Sequence, residues 1–304
     1  MKKIIQIKND FQLKNIKESV HLKFLDEVSK SPVYISKKTG LVYHPDILSS
    51  EKAVERWSNK IYSKKNNPKN ELYTSDFPGM QSRHYFVIDF FRRFLKINKK
   101  TKICDFACGE GSLLLKLNQY FNIKKLFGTE HSKDNINIIN KKFNSKKLKV
   151  PQLFPQSIEN FNKKNPKAKF DIGIICWTLC NCSEPLEVVN ALSKSIKKNG
   201  HIVVAESSRL MVPFKKVIGN YFNKTKKAGH YHPWHWSLNS LSNIFKIHGF
   251  ELVKCNRYWD EDNLVLIFKN TGKVSENKIN FDNYKKISDF LFRWHKESKN
   301  YNFK

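Results

Sequence analysis

Apolar positions along this chain follow two rhythms. Between residues 101 and 270, short β-rich runs alternate with runs of helical spacing. The candidate strands are 102–106, 125–129, a weaker one near Val150, 170–176 and 201–205, and a helical pattern follows each. Parallel strands need a long crossover between them, so this alternation predicts a parallel sheet with helices on both faces. The last pair breaks the rhythm. Residues 250–255 and 264–268 are β-rich with no room for a helix between them. A hairpin is the economical reading, and the sheet is expected to end with an antiparallel strand.

The flanks differ from this core. Residues 81–100 read as an amphipathic helix, with Tyr85, Phe86, Ile88, Phe90, Phe94 and Leu95 at mixed three- and four-residue spacing. Residues 1–80 are lysine-rich, with short apolar runs and turn signals at Lys38-Thr39-Gly40 and Asn67-Pro68. A polar linker from Thr271 to Asn280 leads to a helix-like segment carrying Tyr284, Ile287, Phe290, Leu291 and Trp294. The expected organisation is an N-terminal region over 1–80, a core domain over 81–270, and a linker with a C-terminal helix over 271–304.

Composition narrows the class. The 304 residues are 40% apolar and include 23 Phe, enough for a sizeable core and too apolar for disorder. No apolar run is long enough for a transmembrane helix, and the start has no apolar run of the kind a secretory signal needs. The six Cys all lie between Cys104 and Cys255, which argues against a disulfide scaffold and for a reducing, cytoplasmic location. The net charge of +29 changes the picture less than its size suggests. Only seven of the 56 basic residues are Arg, and 31 residues are Asn. A/T-rich codons produce that mixture without selection for binding, and Arg, the better phosphate fork, is scarce. A polyanion-binding face and a membrane-surface role stand as the other readings.

The sharpest local signal is Asp105-Phe106-Ala107-Cys108-Gly109-Glu110-Gly111-Ser112, between the first core strand and the helical Leu113–Leu117 run. A glycine-rich strand-to-helix turn lets backbone approach a ligand and aims free N–H groups at it. The next strand ends at Glu130, where a carboxylate can accept bonds from both ribose hydroxyls. A dinucleotide turn would read G-x-G-x-x-G and hold a pyrophosphate. Here Asp105 heads the turn and Glu110 lies inside it. Two carboxylates repel a pyrophosphate and suit an ammonium or a sulfonium, which favours S-adenosylmethionine over NAD.

These residues resemble class I S-adenosylmethionine-dependent methyltransferases. Asp105–Gly111 fits their first motif, and Glu130 their ribose-holding acid. Phe170–Ile175, Lys198–Val204 and His248–Leu252 fit the runs into their fourth, fifth and sixth strands. The resemblance covers roughly residues 81–270 and implies an α/β, Rossmann-like, seven-stranded, mostly parallel sheet with an antiparallel last strand. It also implies a cofactor-binding set of Asp105, Ala107, Gly109 and Gly111 at the methionine end and Glu130 with His131 at the ribose. Ser157 would meet the adenine edge, Ile158 its face, and Trp177 would stand near the reacting methyl. The third-strand Asp common in the family is missing here; Gln156 or Ser157 stands in that stretch.

The acceptor side is expected at 176–182, 206–209 and 229–237. The third segment holds three of the ten His and two of the six Trp, just before a helix with Ser237 as its expected cap. His232, Trp236, Ser237 and Leu241 fit a stretch of sugar- and small-metabolite-modifying methyltransferases. By that match His232 is the first candidate for general base and His235 the second. The other reading is an aromatic lid whose histidines only satisfy backbone groups. Cys176, Cys180 and Cys182 lack the paired spacing of a zinc site and read as packing residues, so no metal is expected. Residues 36–45 resemble the N-terminal piece of bacterial surface-sugar methyltransferases, which bind zinc through cysteines. Ser36 and Thr39 stand where those thiolates would be, leaving a metal-free cap. Arg83 is a candidate contact for a cofactor carboxylate.

The expected function is methyl transfer from S-adenosylmethionine to a small-molecule acceptor, a sugar, nucleotide-sugar or related metabolite. The alternatives are an RNA methyltransferase using the basic surface, and a non-catalytic domain that binds the cofactor or a partner protein.

Overall fold

The computed structural model describes residues 1–29, 31–49, 52, 55, 78–206, 217–222, 232–256 and 263–300. In chain order the helices are α1 (Lys2–Phe11), α2 (Pro78–Arg92), α3 (Ser112–Phe121), α4 (Lys133–Ser145), α5 (Ile158–Lys164), α6 (Pro185–Ser195), α7 (Ile218–Phe222), α8 (Leu238–Lys246) and α9 (Tyr284–Asn300). The strands are β1 (Ser19–His21), β2 (Tyr34–Ser36), β3 (Val42–Tyr43), β4 (Ile103–Phe106), β5 (Leu126–Thr129), β6 (Gln152–Phe154), β7 (Phe170–Cys176), β8 (Ile196–Glu206), β9 (Trp234–His235), β10 (Phe250–Cys255) and β11 (Leu264–Asn270). The expected segments 207–209, 229–231 and Asn67-Pro68 lie outside the described residues.

Strands β4 to β8, β10 and β11 form one sheet in the order β10-β11-β8-β7-β4-β5-β6. Strands β4 through β8 are mutually parallel. The last strand is reversed, as expected, but β11 lies between β8 and β10 instead of at the sheet's edge. Side-chain pattern explains the swap. Leu264–Phe268 is apolar without a break and is buried throughout, the mark of a central strand. Phe250-Glu251-Leu252-Val253-Lys254 mixes buried and exposed positions and takes the edge.

Period-two alternation divides the core into two layers. Ile175, Val204, Leu266 and Phe268 face one apolar cluster with Phe161, Leu192 and Phe245. Ile174, Val203, Val265 and Ile267 face the other, with Phe91, Leu113, Leu117 and Phe143. The helices that cover the layers start where local chemistry allows. Ser132 caps α4 by accepting from the Asn135 amide, Pro185 opens α6, and Ser237 closes a capping box with Ser240 at α8. Helix α2 starts and ends earlier than the expected 81–100, stopping at Arg92.

A second, four-stranded antiparallel sheet in the order β1-β2-β3-β9 has no counterpart in the sequence reading. Side-chain hydrogen bonds hold the turn of the β2–β3 hairpin. Ser36 Oγ accepts the Lys38 and Thr39 amides, and Thr39 Oγ1 donates to Asp10 while accepting the Leu41 amide. Gly40 has φ +75° and no room for a side chain, since a Cβ there would stand 2.6 Å from that of Asp282. Helix α9 packs Leu291 and Trp294 against Leu22, Leu25, Val33 and Ile35 and against Tyr221 and Phe222 of α7. The C-terminal helix thus closes over the N-terminal sheet. No helix among the described residues is long and apolar enough to cross a membrane.

Candidate active site

The glycine turn folds by alternating hand. Ala107, Gly109 and Gly111 have φ of 60°, 55° and 72°, so every second residue is left-handed. Strand β5 holds the strained Ala107: Thr129 Oγ1 accepts its amide at 3.0 Å, and the Thr129 carbonyl accepts that of Cys108 at 3.0 Å. The two glycines differ in purpose. A Cβ on Gly111 would stand 2.6 Å from Ile139 Cγ1, so this glycine serves helix packing. Among the described residues, a Cβ on Gly109 would meet no atom within 4 Å, so the space they leave above that backbone is open.

Two carboxylates line this turn, and one differs from the sequence argument. Glu110 turns aside to Lys142, whose ammonium lies 3.1 Å from Oε2 and also reaches the Glu110 carbonyl and Ser112 Oγ. The paired acid beside Asp105 is Glu130. Glu130 Oε2 accepts the Gly109 amide at 2.9 Å, and Oε1 accepts the Ser132 amide at 2.8 Å. Asp105 and Glu130 are 3% and 4% exposed. Burial, with the Glu130 charge second, pushes the Asp105 carboxyl up to about 8. Burial raises Glu130 as well, opposed by the Ser132 and Gly109 amides and by His131, whose Nδ1 is 3.6 Å away. The fold therefore holds two acids where one charge is already costly, an arrangement that a cation relieves.

The other expected cofactor residues surround this pair unevenly. The Glu130 amide donates to the Phe154 carbonyl, so the segment with Ser157 and Ile158 leaves the sheet beside Glu130. Ser157 is half-buried at the cap position of α5, whereas Ile158 is already buried in the core with Phe106 and Phe161. Trp177 follows β7 in a left-handed conformation, φ 51°, its amide bound to the Ala205 carbonyl. Its indole N–H is buried with no hydrogen-bond partner among the described residues. Arg83 and His84 of α2 flank that ring, the guanidinium 5.7 Å from the ring centre and the imidazole centroid 5.9 Å away. Burial and the charges of Lys116, Lys142 and Arg83 depress His84 to about 4, so it is neutral at physiological pH. His84 received no role in the sequence reading; a single His on an amphipathic helix gives no signal of what it faces.

On the acceptor side the two candidate bases part company. His235 sits in β9, paired with Val42, and is buried among Tyr221, Phe222 and His44. The Tyr221 hydroxyl meets its Nδ1 at 2.9 Å. The surrounding is aromatic, but the bond goes to a side-chain hydroxyl and not to backbone. His232 lies before β9, half-buried, with Nδ1 2.6 Å from Asn181 Oδ1 in the loop after Trp177. Glu206 anchors the same loop: its Oε1 accepts the Thr178 and Leu179 amides at 3.0 and 2.7 Å. Complete burial raises the Glu206 carboxyl to about 7. Asn181 and Glu206 stand in segments the sequence reading named, but their side-chain roles depend on contacts between distant segments. All six Cys are free thiols. Among the described residues no cluster of His, Cys, Asp and Glu can hold a metal ion.

Comparison with known proteins identifies the family and the fold. The family described as a methyltransferase domain matches residues 80–255. An uncharacterized methyltransferase of Schizosaccharomyces pombe is 28% identical over 152 residues, 47% of this chain and 51% of that protein. The chain thus spans about half the length of this curated relative. Two solved structures share the fold. Magnesium protoporphyrin IX methyltransferase from Synechocystis, with bound S-adenosylhomocysteine, superposes with a TM-score of 0.52 at 14% identity, over 73% of this chain and 95% of that one. A methyltransferase of Haloferax volcanii, solved with the Trm112 activator, gives a TM-score of 0.51 at 12% identity, over 66% and 96%. The chain belongs to the methyltransferase domain family, the class I S-adenosylmethionine-dependent methyltransferases that its glycine turn resembles.

Proposed function

We propose that this chain transfers a methyl group from S-adenosylmethionine to a small-molecule acceptor of the sugar, nucleotide-sugar or related metabolite class. One observation carries the reading: a pair of buried acids, Asp105 and Glu130, beneath open backbone at Gly109. A ligand with a positive charge and a vicinal diol fits that donor and acceptor set. A pyrophosphate would add negative charge to a site that already disfavours two. When bound, the cofactor supplies a methyl group on a positively charged sulfur for in-line displacement.

The chain's own residues then have distinct tasks. Asp105 gives up its proton and balances the cation. Glu130, steadied by two amides, accepts from the ribose hydroxyls. Gly109 leaves the cradle open, Gly111 and Ala107 set the turn, and Trp177 forms the wall nearest the methyl. His232 takes the acceptor proton, while His235 belongs to the packing beneath it. Residues 1–80 serve as a cap that fixes the acceptor wall, residues 81–270 as the methyltransferase domain, and the cytoplasm as the working compartment.

Calorimetry with S-adenosylmethionine, S-adenosylhomocysteine and NAD tests the cofactor. The expected result is binding of the first two and none of the third. Binding of NAD alone, with neither nucleoside bound at millimolar levels, refutes the reading. Transfer of labelled methyl into the small-molecule fraction of a cell extract tests the acceptor class; transfer into RNA instead, with affinity falling steeply as salt rises, would replace it.

A further inference from the structure

We propose that Asn181 is a positioning residue that sets the tautomer of His232, placing the ring proton on Nδ1 and the lone pair on Nε2. The inference rests on the reading of His232 as base. Its evidence is a chain of two hydrogen bonds. Asn181 Nδ2 donates to the Trp177 carbonyl at 3.0 Å, and Asn181 Oδ1 meets His232 Nδ1 at 2.6 Å.

The direction of this chain is fixed by its far end. A backbone carbonyl only accepts, so the amide must turn its NH2 to Trp177 and its oxygen to the histidine. A flipped amide would set two acceptors face to face. Asn181 Oδ1 cannot donate, so Nδ1 of His232 carries the hydrogen, and the neutral ring keeps its lone pair on Nε2.

Neither end of the chain can drift. Trp177 is tied by its amide to Ala205, and its loop is held by Glu206 through Thr178 and Leu179. Trp234 Nε1 donates to the Cys182 carbonyl at 2.7 Å, fastening β9 to the loop's other end. The backbone just after His232 is set by the N-terminal sheet, because the His44 amide donates to the Pro233 carbonyl and β3 pairs with β9. Asn181 therefore joins the residue expected beside the reacting methyl to the residue expected to accept a proton. A base that loses its orienting partner rotates or adopts the wrong tautomer, and its rate contribution goes with it.

Nitrogen-15 NMR of histidine-labelled full-length protein reads the tautomer directly, without any acceptor. The wild type is expected to show the Nδ1–H form of neutral His232, and Asn181→Ala to shift it towards the Nε2–H form. Asn181→Asp keeps an acceptor facing Nδ1 and must retain the Nδ1–H form. A wild-type Nε2–H ring, or a tautomer that Asn181→Ala leaves unchanged, overturns the proposal. Should the alanine variant not fold, an Nε2–H ring in the aspartate variant overturns it equally. With labelled S-adenosylmethionine and the extract's small-molecule fraction, Asn181→Ala is expected to slow transfer about tenfold or more, with cofactor affinity unchanged. Absence of S-adenosylmethionine binding by the wild type would sink the proposed function and leave the tautomer result standing, so the two failures are distinguishable.

Discussion

The two walls of the candidate site are built from different materials. The cofactor wall is one short stretch, residues 105–111, joined to Glu130 by the Gly109 amide, and its character is two buried acids. Among its described residues the acceptor wall carries a single buried acid, Glu206, whose Oε1 holds the Thr178 and Leu179 amides. It is assembled from the loop after β7, the end of β8, the approach to β9 and, behind them, the N-terminal sheet. A fixed cation needs a fixed counter-charge, which a local turn can supply. An acceptor whose shape varies between enzymes is met by a surface borrowed from elsewhere in the chain and held by hydrogen bonds between distant segments, the Glu206 carboxyl among them. The walls should therefore fail differently when broken.

The largest effect is expected on the acceptor side. Trp234 is 1% exposed, pairs with Tyr43 across β3–β9 and holds the Cys182 carbonyl. Trp234→Ala should cost about 3–5 kcal/mol in denaturant unfolding. The surviving folded protein should bind S-adenosylmethionine as the wild type does. A loss of cofactor affinity as large as the loss of stability would show that the walls are not separate.

The cofactor wall should lose binding before stability. Asp105→Asn is expected to weaken S-adenosylmethionine about 10- to 100-fold, the range of a charge-assisted contact. The pH dependence sharpens this. With Asp105 near 8 in the unliganded fold, the proton must leave before the cation is balanced. Affinity should rise about tenfold per pH unit up to about 8 and then level, and the Asn variant should lack that slope. Stability runs the opposite way. The carboxyl is raised from 3.8, so its contribution is full below that value and is lost as pH climbs through about 8. Unliganded wild type should lose melting temperature across that window relative to Asp105→Asn.

The two glycines make a smaller, internal comparison. Both are left-handed, so alanine strains either, by about 1–3 kcal/mol. Only Gly111→Ala also collides with Ile139, and it should be the less stable of the two by thermal melting. Equal melting points would mean that Ile139 yields freely.

How much of this was legible in sequence follows from the same contrast. The alternation of strands and helices, the Asp105–Gly111 turn and Glu130 depend on residues near one another in the chain, and they could be read there. The reading erred where a local motif had a distant neighbour. Glu110 looked like part of the cradle until Lys142, on the next helix, took it away. Asn181 and His232, 51 residues apart, carry no spacing signal. Strand β9 is two residues long, too short for any periodicity, and the sheet it completes begins at Ser19.

The smallest expected effect tests whether the N-terminal hairpin is a true support for that wall. Thr39 Oγ1 donates to Asp10 and accepts the Leu41 amide, at a position where resembling proteins carry a metal-binding thiolate. Valine keeps the branched shape and removes both bonds. The Asp10 carboxylate is buried at 3% exposure but retains Asn15 Nδ2 at 3.0 Å, so the loss is partial. Thr39→Val should cost about 1 kcal/mol by denaturant unfolding. Because β2 and β3 lead to β9, and β9 sets the backbone just beyond His232, the variant should also blur the single His232 tautomer signal while leaving cofactor affinity intact. An unchanged signal with the full stability loss would mean that the hairpin stabilises the fold without steering the acceptor wall.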